Sequence, residues 1–294
     1  MSGHFPVEIG RVMEDSFIGL LYRLGYTVSR GTDFESKLDI IGKFYGHPIN
    51  PNLPNKCTLL PPFFAPIGTT AFSVKRGNFG AKDVKELIDK VQKAKRSKNE
   101  ALKSLEGMII VTNFIRTEKD LDALLSKNVY CWDGRRLVFY SAKARAIQEL
   151  TSRSSVQEIA IEGVNNSSYL IGIETETVEE LKNVISTNIV IFVDDHNKDL
   201  IISGDHIERM LEYIYKKSLG PIVDSTQMEV RVFLEIHALG VVHESIVKNS
   251  YNKYVKESSL HPQVFFPAEL SIFQYGSAPW VIVYSAKSSV NRRA

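Results

Sequence analysis

Only two cysteines occur in the 294 residues, Cys57 and Cys131. That excludes a disulfide framework and a cysteine-built zinc site, and it suits a reducing compartment. No apolar run approaches the roughly 20 residues that a membrane-spanning helix needs, so no membrane is expected among the partners. The opening MSGHFPVEIGRVMEDSF has no basic region leading into a long apolar one, which predicts no secretory leader and a cytoplasmic, intracellular protein. Glycine motifs that cradle phosphates are missing as well: there is neither a P-loop nor a dinucleotide fingerprint, and no internal repeat.

Net charge is nearly absent, at +2, but that balance conceals an asymmetry. Residues 1–150 carry 23 Lys and Arg against 16 Asp and Glu, a net +7; residues 151–294 carry 13 against 18, a net −5. A basic half joined to an acidic half points to a polyanionic partner for the first alone. The apolar content of 44% supports a real core, and the length allows two ordinary domains. The polar stretch TSRSSV, 151–156, marks the expected boundary between domains 1–150 and 151–294.

Residues 7–24 repeat apolar side chains at helical spacing: Ile9, Val12, Met13, Phe17, Leu20, Leu21 and Leu24. Gly25 follows as a C-cap, and strands are expected at 26–30 and 38–44. Residues 46–70 hold six prolines and must form a long loop, in which Phe63 and Phe64 either meet a partner or fold back on the domain. A strand at 71–75 leads through RGNFG to a helix at about 81–95, with Val84, Leu87, Ile88 and Val91 as its buried stripe. A buried strand at 107–113 and a helix at 117–126 come next. The segment NVYCWDGRRLVFYSAKA reads as a short strand, a Trp-Asp-Gly turn and then a further strand or the start of a helix. That order predicts a mixed α/β sheet flanked by helices. The second half reads as a sheet-rich α+β domain: strands EIAIEGV and YLIGIETE, a helix at 177–186, strands NIVIFVDD and DLIIS, a helix at 204–218, strand MEVRVFLEI, a helix near 240–257 and strand WVIVYSA.

Two charges stand where a strand core should hold none. Asp39 lies inside the apolar run LDIIG, and Lys75 ends the run TAFSVK. Adjacent strands carrying a carboxylate and an ammonium would make a compact site for a cation and a phosphate; a simple strand-edge ion pair would use the same residues. Positive charge continues from Arg76 through Lys82, Lys85, Lys93, Lys95, Arg96 and Lys98, and a one-sided face of this kind favours phosphate contacts. His237 and His243 lie six apart with Gly240 between them, and read as ordinary residues rather than metal ligands.

Taken in order, Glu14, Asp39, Ser73 and Lys75 resemble the pattern of the PD-(D/E)XK nuclease superfamily, nearest to archaeal Holliday-junction resolvases and Mrr-type restriction endonucleases. The segment GRVMEDSFIGLLYRLGYTVSR is similar to the family's first helix, with its acid eleven residues before the Gly-aromatic pair. LDIIG is similar to the strand with the metal-binding aspartate, and FSVKRG to the strand ending in acid-x-lysine. EGMIIVTNFIRTEKDLDALLSKNVYCWDGRRL resembles the Mrr-type tail, so the likeness covers about residues 5–145. It implies a restriction-endonuclease-like mixed sheet and a DNA endonuclease that uses Mg²⁺ or Mn²⁺. Asp39 would be the main metal ligand, Glu14 a water-mediated one and Lys75 the catalytic lysine. The substrate class within nucleic acids stays open: duplex, junction, single strand or RNA. The acidic domain would serve dimerisation, target recognition or partner binding, which admits a homodimer.

One position departs from that pattern. Ser73 stands where the family places the second carboxylate, and a serine supplies none. Some restriction enzymes with Ser-x-Lys draw the missing acid from the following helix, and Asp89, fourteen residues after Lys75, has about that spacing. Glu86, Asp83 and Glu35 are alternatives. If the stripe Val84, Leu87, Ile88 and Val91 faces the sheet, Glu86 points nearly opposite and Asp89 well to one side, while Asp83 flanks the stripe or simply sits at the helix N-terminus. The departure also admits a nuclease fold that has lost its chemistry and serves as a nucleic-acid-binding or scaffolding module.

Overall fold

The computed structural model describes residues 5–31, 37–45, 68–152, 156–164, 167–177, 184–195, 208–209, 211–212, 215–226, 229–239, 244–257, 264–265, 269–275 and 279–285. Most of the proline-rich segment, with Phe63 and Phe64, lies outside them, as do Glu35, Cys57, His243 and the strand expected at DLIIS. The chain divides into two compact α+β units, Met1–Gln148 and Glu149–Ala294.

The first unit is a five-stranded mixed sheet in the order β1-β2-β3-β4-β5: β1 (Tyr26–Arg30), β2 (Ile40–Phe44), β3 (Thr69–Lys75), β4 (Leu105–Thr112) and β5 (Tyr130–Trp132). β1, β2 and β3 pair antiparallel, whereas β3, β4 and β5 run parallel. Parallel neighbours need crossovers. Helices α2 (Ala81–Lys95) and α3 (Glu100–Lys103) provide the first, and α4 (Glu118–Leu125) provides the second.

Alternation along the strands sends side chains into two cores. On one face Phe72 meets Phe17 of α1 (Phe5–Arg23) at 5.4 Å, Tyr26 at 5.9 Å and Trp132 at 5.8 Å, all edge-on. Such pairs add stability beyond their burial. On the other face Leu38, Ile41, Ala71 and Ile110 join Val84, Leu87 and Val91 of α2. Gly25, at φ +94, ends the turn after α1 in the left-handed conformation that glycine adopts freely. Among the stripe residues of α1 whose side chains are described, Val12 stands apart, being 62% exposed. At about 100° per residue it points well away from Phe17, Leu20, Leu21 and Leu24.

One element left open in the sequence is settled, and one differs from expectation. The segment after Trp132 is a long helix, α5 (Gly134–Ser152), in which Phe139, Tyr140, Ala144 and Ile147 are buried at helical spacing. The division between the units, after Gln148, falls in the last turns of that helix, two residues before the expected one. In the second unit residues 184–186, expected to end a helix, instead begin strand β8 (Val184–Asp195).

That unit is built on a seven-stranded sheet in the order β12-β11-β9-β8-β7-β6, with β10 (Val264–Phe265) paired to β9. β6 (Val156–Val164), β7 (Ser167–Thr177) and β8 form an antiparallel meander. β9 (Glu229–Ala238) is parallel to β8 and to β11 (Glu269–Tyr275), and β12 (Pro279–Ser285) closes the edge antiparallel. Helices occupy Gly220–Thr226 and Glu244–Glu257.

Gly42 in β2 has a specific reason to lack a side chain. A Cβ there would meet Phe72 Cε2 at 2.8 Å and Tyr26 Cδ1 at 3.3 Å. Both rings are fully buried and have nowhere to move. Gly42→Ala should therefore destabilise the first unit by roughly 1–3 kcal/mol, read as a lower midpoint in thermal or denaturant unfolding. An unchanged midpoint would show that the aromatic cluster is not tightly filled.

Candidate metal and phosphate site

The β2–β3 ladder ends at the pair Ile40 and Phe72. Asp39, the next residue outward, closes the gap with its side chain. Its Oδ2 accepts hydrogen bonds from Ser73 Oγ at 3.0 Å and from the Val74 amide at 3.2 Å. Extending the antiparallel register by one step places Asp39 opposite Ser73, and Lys75 lies two residues further on the same face of β3. Asp39, Ser73 and Lys75 thus share one face, the one covered by α2.

Glu14 comes from α1, on the other face. Its pKa is raised above the ordinary carboxylate value, first by burial and next by the Asp39 carboxylate; Arg30 pulls the other way. Arg30 lies 3.6 Å from Glu14 and also pairs with Asp15. A carboxylate whose charge is disfavoured by burial and by a neighbouring acid, as that of Glu14 is, is a group a cation relieves.

The acid that the structure brings to Lys75 is Asp83. The Lys75 ammonium lies 3.5 Å from Asp83 Oδ1, while Asp83 Oδ2 accepts from the Gly80 amide at 2.9 Å and so caps α2. That amide, then Lys75, hold the Asp83 pKa below the ordinary value. Asp89 does not reach this group. It is six residues on, about 9 Å further along the helix and turned by about 240° from Asp83. It falls in the exposed row Lys82, Lys85, Asp89, Lys93 and Arg96, opposite the buried stripe, where an acid answers neighbouring cations. The spacing from Lys75 suggested Asp89, but helical phase removes it from the site. Glu86 is exposed and pairs with Lys90 at 2.9 Å.

Arg76, Lys82, Lys85, Lys93, Lys95, Arg96 and Lys98 are all exposed. From Lys82 to Lys93 the row runs about 16 Å.

A second cluster adjoins the same edge of the sheet and was only half visible in the sequence, as the aspartate of the Trp-Asp-Gly turn. Asp133 is fully buried and binds Arg135 at 2.8 Å and Arg136 at 3.5 Å. It also accepts from the Arg116 amide at 3.1 Å. The Arg116 guanidinium carbon lies 3.9 Å from the centre of the Phe79 ring. Buried acids need such partners. The signal available was an acid followed by Gly-Arg-Arg at the end of an apolar strand.

Other candidates resolve as structural. Cys131 is buried, and desolvation pushes its thiol up to about 12, which leaves no thiolate for chemistry. His237 is buried in β9, 2.9 Å from the Tyr275 hydroxyl and beside Glu235, with its ring stacked between Phe192 and Phe273. Among the described residues no group of three or more His, Cys, Asp or Glu side chains is placed to hold a metal ion. Nor is any helix there long and apolar enough to cross a membrane.

No protein-family model and no curated protein sequence matches the chain. Among solved structures, the crystal structure of the central domain of yeast acetyl-CoA carboxylase is aligned over 86% of this chain and 44% of its own, at 11% identity and a TM-score of 0.25. A likeness that weak bears on neither fold family nor activity.

The raised Glu14 pKa has a sign that can be tested. A carboxyl whose folded pKa exceeds its unfolded one binds its proton more tightly in the native state, so stability falls as pH rises through the window between the two values. Without divalent cations, wild type should lose thermal stability relative to Glu14→Gln as pH climbs from about 4.5. Millimolar Mg²⁺ or Mn²⁺ should restore it in wild type but not in the variant. Identical pH curves would mean that neither burial nor the Asp39 charge shifts the Glu14 carboxyl.

Proposed function

We propose that the first unit is a divalent-metal-dependent DNA endonuclease. The observation that carries this reading is the constellation at the open end of the β2–β3 ladder: Asp39 held by β3, Glu14 sensing its charge, and Lys75 on the same face. It agrees in order and setting with the resemblance to the PD-(D/E)XK superfamily. Mg²⁺ is held in proteins by one or two carboxylates together with waters and substrate phosphate, so Asp39 and Glu14 suffice as protein ligands. When bound, the ion would supply an activated water and neutralise charge on the phosphoryl oxygens.

The chain's own groups divide the remaining work. The two hydrogen bonds from β3 fix the Asp39 carboxylate in one orientation. Lys75 is a point charge for a phosphoryl oxygen. Its pair with Asp83 is partly exposed and long, a geometry worth at most about 1 kcal/mol, so an arriving phosphate can take the ammonium over. The row from Lys82 to Arg96, with Lys95 and Lys98, would follow the DNA backbone.

Ser73 supports a second reading, a nucleic-acid-binding or scaffolding protein without chemistry. Its hydroxyl satisfies Asp39, where a second carboxylate would have stood beside the ion.

Cleavage of duplex, junction and single-stranded DNA with Mg²⁺ and with Mn²⁺ separates the two. Lys75→Ala and Asp39→Asn should abolish cleavage and leave binding within about tenfold, because many cations share the phosphate contacts whereas these two groups act at the scissile bond. Ser73→Glu should tighten Mg²⁺ binding and keep or raise the rate. Intact DNA binding with no cleavage by wild type on any substrate would favour the scaffold. Binding itself should weaken with salt at a log–log slope of about −0.7 to −0.9 per phosphate contacted. Binding indifferent to salt, or surviving charge reversal at Lys82, Lys85, Lys93 and Arg96, would contradict the assigned surface.

A further inference from the structure

Two large apolar side chains stand exposed at the edge where Lys75 ends β3. Phe114 is 49% and Ile115 53% exposed. They occupy the loop after β4, and Thr112, the last residue of β4, is the cross-strand partner of Lys75. The tip therefore begins two residues beyond the proposed catalytic lysine's neighbour.

The loop beneath the tip is held from several sides. Thr112 Oγ1 donates to the Gly77 carbonyl at 2.6 Å, and the Gly77 amide donates to Asn113 Oδ1 at 3.0 Å. The Gly134 amide donates to the Phe114 carbonyl at 3.1 Å, and Arg135 Nη2 to the Arg116 carbonyl at 2.8 Å. Buried Asp133 anchors the Arg116 amide from below. Gly134 is there because a Cβ would meet the Asn113 carbonyl oxygen at 2.6 Å. A chain this firmly fixed presents Phe114 and Ile115 in a set position, with no ordering cost when a partner arrives.

Charge decides the partner's kind. Exposed Arg76 precedes Gly77, whose Cβ position lies 3.6 Å from Phe114 Cε2; Arg116 follows Ile115 and stacks on Phe79, and Arg135, paired with fully buried Asp133, bonds the Arg116 carbonyl. An apolar pair between cations suits a ligand with an apolar face beside negative charge, which describes a nucleobase and its phosphates. In a regular duplex base faces are hidden by stacking, and only an unstacked or extruded base offers one.

We propose that Phe114 and Ile115 contact the face of an unstacked base in DNA whose phosphate is held at Lys75. The preferred substrate is then DNA with unpaired or readily opened bases at the cleavage site. This rests on the nucleic-acid reading of the same edge.

The test measures binding of the full chain, without divalent cations, to a matched duplex and to the same duplex with one unpaired 2-aminopurine. Wild type should prefer the unpaired DNA by at least fivefold and change the probe's fluorescence. Phe114→Ser/Ile115→Ser should erase both effects while leaving matched-duplex affinity within about threefold and the salt slope unchanged, since an apolar contact releases no counterions. Phe114→Trp should keep the preference. Equal binding of both DNAs by wild type, or an unchanged preference in the double variant, overturns the inference alone and leaves the nuclease reading standing; the second result would fit a tip that serves a protein. Weakening of both DNAs with a shallower salt slope also overturns it. No binding of any DNA by wild type overturns both readings together.

Discussion

The Asp39 carboxylate completes a sheet that its backbone leaves open. Beyond Ile40 and Phe72 the β2–β3 ladder stops, and one oxygen, Asp39 Oδ2, takes both the Ser73 hydroxyl and the Val74 amide. A buried strand amide without a partner costs free energy comparable to a lost hydrogen bond. The acid therefore has a structural duty, and the same duty orients it. Because Asp39 is tied to β3, it has a set relation to Lys75, and Glu14 from the opposite layer feels the charge of a carboxylate held in place. The remaining elements secure these three positions: the aromatic cluster around Phe72 fixes α1 against the sheet, and the Val84–Leu87–Val91 stripe fixes the start of α2 near Lys75.

A second constraint lies at the same edge. Asp133, fully buried, gathers Arg116, Arg135 and Arg136 and thereby ties the loop after β4 to the turn after β5. Parallel strands bring their C-terminal ends to one side, so the ends of β3, β4 and β5 gather Lys75, Asn113 and Asp133 at a single rim. Ligands in open α/β sheets bind at such rims because the connecting loops converge there. Here the rim is cationic and carries one exposed apolar tip.

Much of this was legible in the sequence, for identifiable reasons. Asp39 and Lys75 were conspicuous because they interrupt apolar runs, and period-two alternation put them on one face. The helix at 81–95 and the strand near 107–113 showed the periodicity of their burial. Helical phase already spoke against Asp89 despite its plausible distance from Lys75, since about 100° per residue turns it away from the apolar stripe, and in the structure it sits in the lysine row. What escaped notice depended on three-dimensional closure. Asp83 reads as an ordinary capping acid, which it is; that it also touches Lys75 follows from how the β3–α2 loop folds back. The stretch from Arg135 to Tyr140 is rich in strand-favouring side chains, so its helix declares itself only through the spacing out to Ile147. The arginine cluster was hidden because Arg116 and Asp133 lie seventeen residues apart.

The central claim is that Asp39 and Glu14 together form a cation site beside Lys75. A crystal soaked in Mn²⁺ tests it most directly, through the anomalous difference map. One strong peak is expected within ligand distance of Asp39, with Glu14 reaching it directly or through a water. A fully soaked crystal with no peak at Asp39, while the Ser73 and Val74 hydrogen bonds remain in place, would contradict it and leave Asp39 as the residue that finishes a strand.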